Sequence, residues 1–291
     1  MQTDSGARAP RHPTAFTDAR PEFGFRALSK IRLRACVERI VFAAFLRFRR
    51  VPDPVKADVS YYFPTSSKRS YKRAKKFATK EPGTIKWLDA SLQEGDVFFD
   101  IGANMGIYSA FAASRIGDGV VYAFEPHAQN FTLLTETIAL NGLAGVIRPL
   151  SLALGARSEL QPFYYSSLVS GSSGSQVEAS PMAVTESILY ELKFCECIDS
   201  LIEQPAFSLP NLVKIDVDGN ELNILRGMEK VLSAGSIRSM QVESDPSLDK
   251  AIRDFLGRFG YHESARHFSS QGQKIHDLGR PYPANVIYVK A

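Results

Sequence analysis

From residue 84 onward the chain alternates short apolar runs with longer segments whose apolar positions recur every three or four residues. The runs at 97–101, 120–124 and 146–154 read as buried strands. Helices are predicted between and before them at 85–92, 107–115 and 128–141, the last carrying Phe131, Leu134 and Ile138 on one face. Strands alternating with helices of this length predict right-handed βαβ units and a parallel sheet. The alternation resumes with a strand at 212–217, a helix at 221–232, a strand at 237–243 and a helix at 248–259. Two closing strands, 262–267 and 285–289, flank the turn Gly279-Arg-Pro-Tyr-Pro283, which suits an antiparallel ending.

Between the halves the rhythm breaks, and an insertion is predicted at about 155–205. It holds strands at 160–165 and 192–198, a short helix at 198–202, and a stretch at 166–180 dominated by Ser and Gly. Ser/Gly loops beside a ligand crevice often close over it; a plain flexible linker is the competing reading.

Composition refines this picture. At 291 residues and 44% hydrophobic content the chain can bury one substantial core. The net charge of +4 conceals an asymmetry: residues 1–80 hold 19 Lys and Arg against 6 Asp and Glu, and the remainder holds 16 against 25. Basic character therefore belongs to the N-terminal quarter. Residues 1–25 lack periodicity and are expected to be disordered. Residues 26–83 read as a basic, partly helical extension, and 84–291 as the main domain. A helix over 28–48 would set Val37, Ile40, Val41, Ala44 and Phe45 on one face with arginines beside it, before Pro52 and Pro54 break it. A short strand is expected around 59–63. The stretch 67–80 carries seven Lys and Arg and no acid, and reads as a solvated helix or as an anion- or membrane-facing patch.

The helix over 28–48 either packs on the domain or docks on an anionic membrane surface. No specific nucleic-acid partner follows, because basic charge alone is weak evidence for one. The N-terminus lacks the apolar core of a secretory signal, and no stretch approaches the length of a membrane span. Three cysteines, two of them Cys195 and Cys197, make no disulfide framework, so a cytoplasmic setting is expected, with peripheral contact at the inner membrane surface open to the basic region.

The chemistry gathers at strand ends, where open parallel sheets bind ligands. The first strand ends in Asp100-Ile-Gly-Ala-Asn-Met-Gly106 and the second in Glu125-Pro126. Gly102 permits a tight turn and a close backbone approach, and the turn feeds a helix N-terminus. Glu125 suits vicinal ribose hydroxyls. A dinucleotide site would want a second glycine where Asn104 stands, and Asp100 is poor company for a pyrophosphate. These residues favour S-adenosylmethionine over a nicotinamide dinucleotide; a fold keeping the turn without the ligand is the third possibility.

The segments D-I-G-A-N-M-G-I-Y-S, A-F-E-P with Asn130 and Asn141 downstream, and K-I-D-V-D-G-N-E-L together resemble the FkbM-type methyltransferases, over about 94–232. The resemblance implies a Rossmann-like class I fold, an α/β architecture with a mostly parallel, doubly wound sheet and an antiparallel C-terminal strand. It also implies S-adenosylmethionine as cofactor and a hydroxyl on a carbohydrate, glycan or natural product as acceptor. The run Asp218-Gly-Asn-Glu221 departs from the family, which often has Glu first and Ala third. Carried over, Asp100, Gly102, Asn104 and Gly106 would surround the methionine end, Tyr108 and Ser109 would add polar contacts, Glu125 would hold the ribose, Pro126 would shape its turn, and 151–153, ending at Ala153, would lie near the adenine.

Lys214, Asp216 and Asp218 are the catalytic candidates. Lys214 and Asp216 share a face of their strand and can pair. Asp216 suits a general base or an orienting group for the acceptor hydroxyl, with cation ligation beside Asp218 or a purely structural role as alternatives. No metal is assigned. Glu221 suits the following helix N-terminus, His127 is expected to be a solvated loop residue, and Glu243 and Asp245 are placed near the acceptor by geometry alone. A nicotinamide-dependent oxidoreductase and a non-enzymatic binding module remain the rival functions.

Overall fold

The computed structural model describes residues 48–177 and 186–291. The stretch 1–25, the basic helix over 28–48 except its last residue, and the end of the Ser/Gly stretch lie outside the described residues. Phe48 itself opens a strand rather than closing a helix. β1 (Phe48–Pro52) pairs antiparallel with β2 (Ser60–Pro64), consistent with the bias away from helix that a following proline imposes.

The basic stretch then forms α1 (Lys68–Lys75) and α2 (Phe77–Lys80), followed by α3 (Pro82–Ser91). Ser67 caps α1 by accepting the Ser70 N–H at 3.0 Å, while the Ser70 hydroxyl accepts the Ser67 N–H. The helix is amphipathic, not wholly solvated, because Ala74 and Phe77 turn inward. Phe77 packs edge-on to Phe63 and to Phe111 of the main domain, with ring centroids 5.9 and 6.0 Å apart. Arg115 grips Asp53 through both guanidinium nitrogens, and Tyr61 donates to the same carboxylate. From residue 48 onward the expected extension thus shares the domain's core.

The main sheet begins with β3 (Val97–Ile101), α4 (Ile107–Ala113), β4 (Val120–Phe124), α5 (Ala128–Leu140) and β5 (Ile147–Leu150). The insertion supplies β6 (Ala153–Leu154), β7 (Glu159–Tyr165), β8 (Gln176–Val177), β9 (Leu189–Glu196) and α6 (Ile198–Leu201). The chain returns through β10 (Leu212–Ile215), α7 (Glu221–Arg226), α8 (Glu229–Ala234), β11 (Ser239–Ser244) and α9 (Asp249–Gly257). It ends with β12 (Tyr261–His267), α10 (Ser270–His276) and β13 (Ala284–Lys290).

Seven strands form the main sheet in the order β12-β13-β11-β10-β3-β4-β5. All pairs from β11 to β5 are parallel, and β13 runs antiparallel to both neighbours. The expected doubly wound α/β sheet with an antiparallel C-terminal strand is present. Its order reverses between β3 and β10, so a crevice opens at their carboxyl ends. Alternation along β3 sends Phe98 toward α4 and α5, and Phe99 and Ile101 toward α7 and α8, giving a core on each face.

Two expected elements divide. The strand over 146–154 stops at Leu150 and resumes as β6 in the four-stranded sheet of the insertion, order β6-β9-β7-β8. Pro149 lacks the N–H a further neighbour would need, and β5 is accordingly the edge strand. The helix over 221–232 breaks at Gly227, where a Cβ would stand 2.0 Å from the Gly155 carbonyl oxygen. The backbone entering the insertion crosses the helix there. The short α10 was not expected: its sequence is polar, and its one legible sign is the Ser269 cap.

Candidate active site

The loop after β3 is built by backbone before any side chain acts. The N–H groups of Gly102 and Ala103 both donate to the Phe124 carbonyl, at 3.0 and 2.9 Å, tying the loop to the end of β4. Gly102 has φ +80°, and a Cβ there would lie 1.9 Å from the Asp216 carbonyl oxygen. The loops after β3 and β10 therefore touch backbone to backbone. Asn104 also adopts a left-handed conformation, φ +51°, which asparagine tolerates better than most residues.

Glu125 locks this loop in place. One carboxylate oxygen accepts the Asn104 N–H at 2.6 Å, and the other accepts the His127 N–H at 2.9 Å. Burial pushes the Glu125 carboxyl up to about 7 despite these bonds. His127 differs from expectation. It is buried rather than solvated, its Nε2 lies 2.8 Å from the Ser167 carbonyl, and its ring meets Tyr165 edge-on. Its Nδ1 has no partner among the described residues.

The Ser/Gly stretch closes the crevice from above. Asn104 and Asn130 both donate to the Ser172 carbonyl, at 2.8 and 3.0 Å, and Asn130 accepts the Gly171 N–H. Asp218, at φ +60°, accepts the Gly174 N–H at 2.6 Å. From the other side Arg73 donates through Nε to the Gly171 carbonyl at 2.6 Å. The loop is thus bridged to β3, α5, β10 and α1.

Together these segments enclose a cavity of about 270 Å³. Gly102, Asn104, Glu125, Pro126, Ala153, Asp216 and Asp218 stand in its wall. Leu152, Leu154, Phe163 and Ile224 form the apolar part of the lining, while Asp216, Asp218 and Glu243 form an acidic part whose charge Arg73 and Lys80 partly offset. The Glu243 carboxyl is pushed far up, first by the negative charge of Asp216 and then by burial.

Asp100, Gly106, Tyr108 and Lys214 stand behind that wall. The β3–β10 register sets Lys214 beside Asp100. Asp100 is fully buried; it accepts the Ser109 hydroxyl at 2.5 Å, and burial raises its pKa. Lys214 donates to Asp216 at 2.8 Å and lies 3.9 Å from Asp100. Burial opposes ionisation of Asp216, yet the adjacent ammonium prevails and holds its pKa low. Gly106, φ +78°, starts α4 against Leu134. Tyr108 gives its hydroxyl to Glu81 at 2.8 Å instead of the large cavity, and Lys214 lies over its ring. Glu221 is buried and accepts the Val217 and Gly219 N–H groups, so it caps the turn entering α7.

Several wall residues escaped the sequence reading. Arg73 and Lys80 belong to the basic stretch, whose helical spacing pointed at an anion-facing patch without locating it. Asn220 donates to the Leu154 carbonyl at 2.9 Å and fixes β6 against the site. Tyr282 sits in the Gly/Pro turn, and nothing in its neighbours marks it. Among the described residues no group of three or more His, Cys, Asp or Glu is arranged to hold a metal ion, and no helix is long and apolar enough to cross a membrane.

Comparison with known proteins follows the same region. The family model "Methyltransferase FkbM domain" matches residues 100–263. The hexuronic acid methyltransferase AglP of Haloferax volcanii is 30% identical over 170 residues, covering 58% of this chain and 64% of AglP. The match therefore spans less than two thirds of that relative. Methyltransferase sdnD of Sordaria araneosa is 24% identical over 203 residues, covering 62% of this chain and 76% of its own. Among solved structures, methyltransferase FkbM from Methylobacillus flagellatus KT aligns with a TM-score of 0.47 at 15% identity, over 68% of this chain and 44% of that one. With its matched segment running from the β3 carboxylate into the start of β12, the chain belongs to the FkbM methyltransferase domain family.

Proposed function

We propose that this protein is an S-adenosylmethionine-dependent O-methyltransferase acting on a sugar or glycan hydroxyl. The observation that carries the reading is the mixed lining of the cavity, with Leu152, Leu154 and Phe163 to take an apolar base, Glu125 to take hydroxyls, and three carboxylates, Asp216, Asp218 and Glu243, against two cations, Arg73 and Lys80. A cationic nucleoside fits that set of groups. In this lining the carboxylates Asp216, Asp218 and Glu243 outnumber the cations Arg73 and Lys80, which disfavours the pyrophosphate of a dinucleotide.

When bound, S-adenosylmethionine supplies an electrophilic methyl group. Glu125 would accept the ribose hydroxyls through lone pairs left over from its two backbone bonds. Leu152, Ala153, Leu154 and Phe163 would hold the adenine by apolar contact. Asp216 is an orienting group before it is a base. Lys214 keeps it ionised, so it can accept the hydrogen bond of an acceptor hydroxyl and aim an oxygen lone pair. Its low basicity suits binding the hydroxyl better than removing the proton outright. Asp218 shapes the same rim by fixing Gly174. The acceptor named for AglP, a hexuronic acid, supports a carbohydrate as the class to test first.

The test is transfer from S-adenosylmethionine to a panel of free and phosphorylated sugars, read by mass spectrometry as a methyl increment. Asp216→Asn is expected to lower turnover by about 100-fold while leaving S-adenosylhomocysteine affinity near wild type. Full turnover by Asp216→Asn would sink its role, and methylation of no hydroxyl-bearing acceptor would sink the assignment.

A further inference from the structure

Beside the cofactor cavity lies a second, wider cleft of about 640 Å³. Arg69, Lys72, Arg73, Lys76 and Lys80 line one side of it. Their spacing places them on one face of α1 and its continuation α2. The rest of the lining comes from Ser172 and Ser173 of the Ser/Gly loop, from 269–271 and from Tyr282. No acidic residue contributes to the lining. Among the described residues Arg69, Lys72 and Lys76 form no ion pair. Arg73 spends only its Nε, on the Gly171 carbonyl, and Lys80 is paired with Glu81. The inner face of the same helices is fastened to the core by Ala74 and Phe77, so the cations are presented by a fixed scaffold.

Arg73, Lys80, Ser172, Ser173 and Tyr282 line both this cleft and the cofactor cavity, so the two share a rim. We infer that the methyl acceptor carries a phosphate or diphosphate ester, which the cleft seats while the acceptor hydroxyl reaches Asp216 across that rim. The inference rests on the methyltransferase reading for the identity of the neighbouring cavity. Charge selects the group. A single carboxylate would leave most of these cations uncompensated, whereas a phosphate monoester carries about −1.5 to −2 and three acceptor oxygens. Guanidinium and ammonium donors suit those oxygens. Concavity selects the source. A lipid surface is met by a convex or flat basic face, but here the helix, the Ser/Gly loop and Tyr282 together line a cleft with room for a molecule.

The probes are inorganic pyrophosphate, S-adenosylhomocysteine and phosphatidylglycerol vesicles, each titrated into the full chain and into Arg69→Glu/Lys72→Glu. Both substituted side chains are exposed and line only the basic cleft. Pyrophosphate should bind the wild type, and the double variant should weaken it by roughly tenfold or more at moderate salt. S-adenosylhomocysteine affinity should be unchanged, which also shows that the variant is folded. Failure of pyrophosphate to bind, or binding indifferent to the substitutions, would overturn the inference. So would vesicle binding that the substitutions abolish without any pyrophosphate binding. Failure of the wild type to bind S-adenosylhomocysteine, with pyrophosphate still bound, would instead strike the cofactor reading.

Discussion

Gly102 and the Asp216 carbonyl approach so closely that a methyl group on the glycine would overlap the oxygen at 1.9 Å. The contact joins the two loops that frame the crevice at the sheet's reversal point, and it fixes where Asp216 stands relative to Glu125. Gly95 has the same φ of +80° with nothing within 4 Å of an added Cβ. Gly95→Ala should therefore cost only the left-handed backbone penalty of about 1–2 kcal/mol. Gly102→Ala should add an overpacking cost of about 1–3 kcal/mol, read by urea denaturation. Equal losses would mean the loops are free to part.

Lys214 serves two carboxylates, Asp216 at 2.8 Å and Asp100 at 3.9 Å, and is itself 1% exposed. Removing it strands the buried Asp100 and the partly buried Asp216. Lys214→Met should destabilise the fold by about 3–5 kcal/mol, and adding Asp100→Asn should restore part of the loss. Unchanged unfolding by Lys214→Met would show that the ammonium is not what keeps Asp216 ionised.

Glu221 titrates in the wrong direction for stability. Burial raises its carboxyl from 4.5 to about 7, so the unfolded chain gives up this proton before the folded one does. Its contribution is fully present below about pH 4.5 and fades as pH rises through about 7. Glu221→Gln keeps an oxygen for the Val217 and Gly219 N–H groups and removes the titration. Unfolding free energies measured across this window should fall less steeply with pH in the variant, and parallel curves would contradict the assignment.

Glu125 holds the loop after β3 and, on the proposed reading, the ribose. Glu125→Ala leaves the Asn104 and His127 N–H groups without their acceptor. S-adenosylhomocysteine affinity should drop by roughly 10- to 100-fold, the value of one or two charge-assisted hydrogen bonds. Calorimetry on the variant provides the measurement, and wild-type affinity would remove Glu125 from the site.

The strands β3 and β4 were legible to the residue because each is a short apolar run buried on both faces and ended by an acid and a turn. What the sequence concealed depends on contacts between distant segments. Gly227 looks like an ordinary helix glycine until Gly155 crosses it, and Pro149 marks an edge only once the sheet order is known. Asp100 and Glu125 both read as strand-end acids facing the ligand. Strand register separates them, turning Asp100 inward to Ser109 and Lys214 while Glu125 faces the cavity. Tyr108 was judged by its place at the opening of a helix and His127 by its place in a loop, but the partners that occupy them, Glu81 and Ser167, are 27 and 40 residues away. The basic stretch showed its charge openly and hid its inner face, because Ala74 and Phe77 are too few to reveal a helical stripe among seven cations.

The central claim is that the crevice between β3 and β10 holds a cationic nucleoside, not a dinucleotide. Calorimetric titration of the full chain with S-adenosylmethionine, S-adenosylhomocysteine and NAD tests it most directly. Saturable binding of the first two with none of NAD is the predicted result. Binding of NAD alone, or of none of the three, would contradict it.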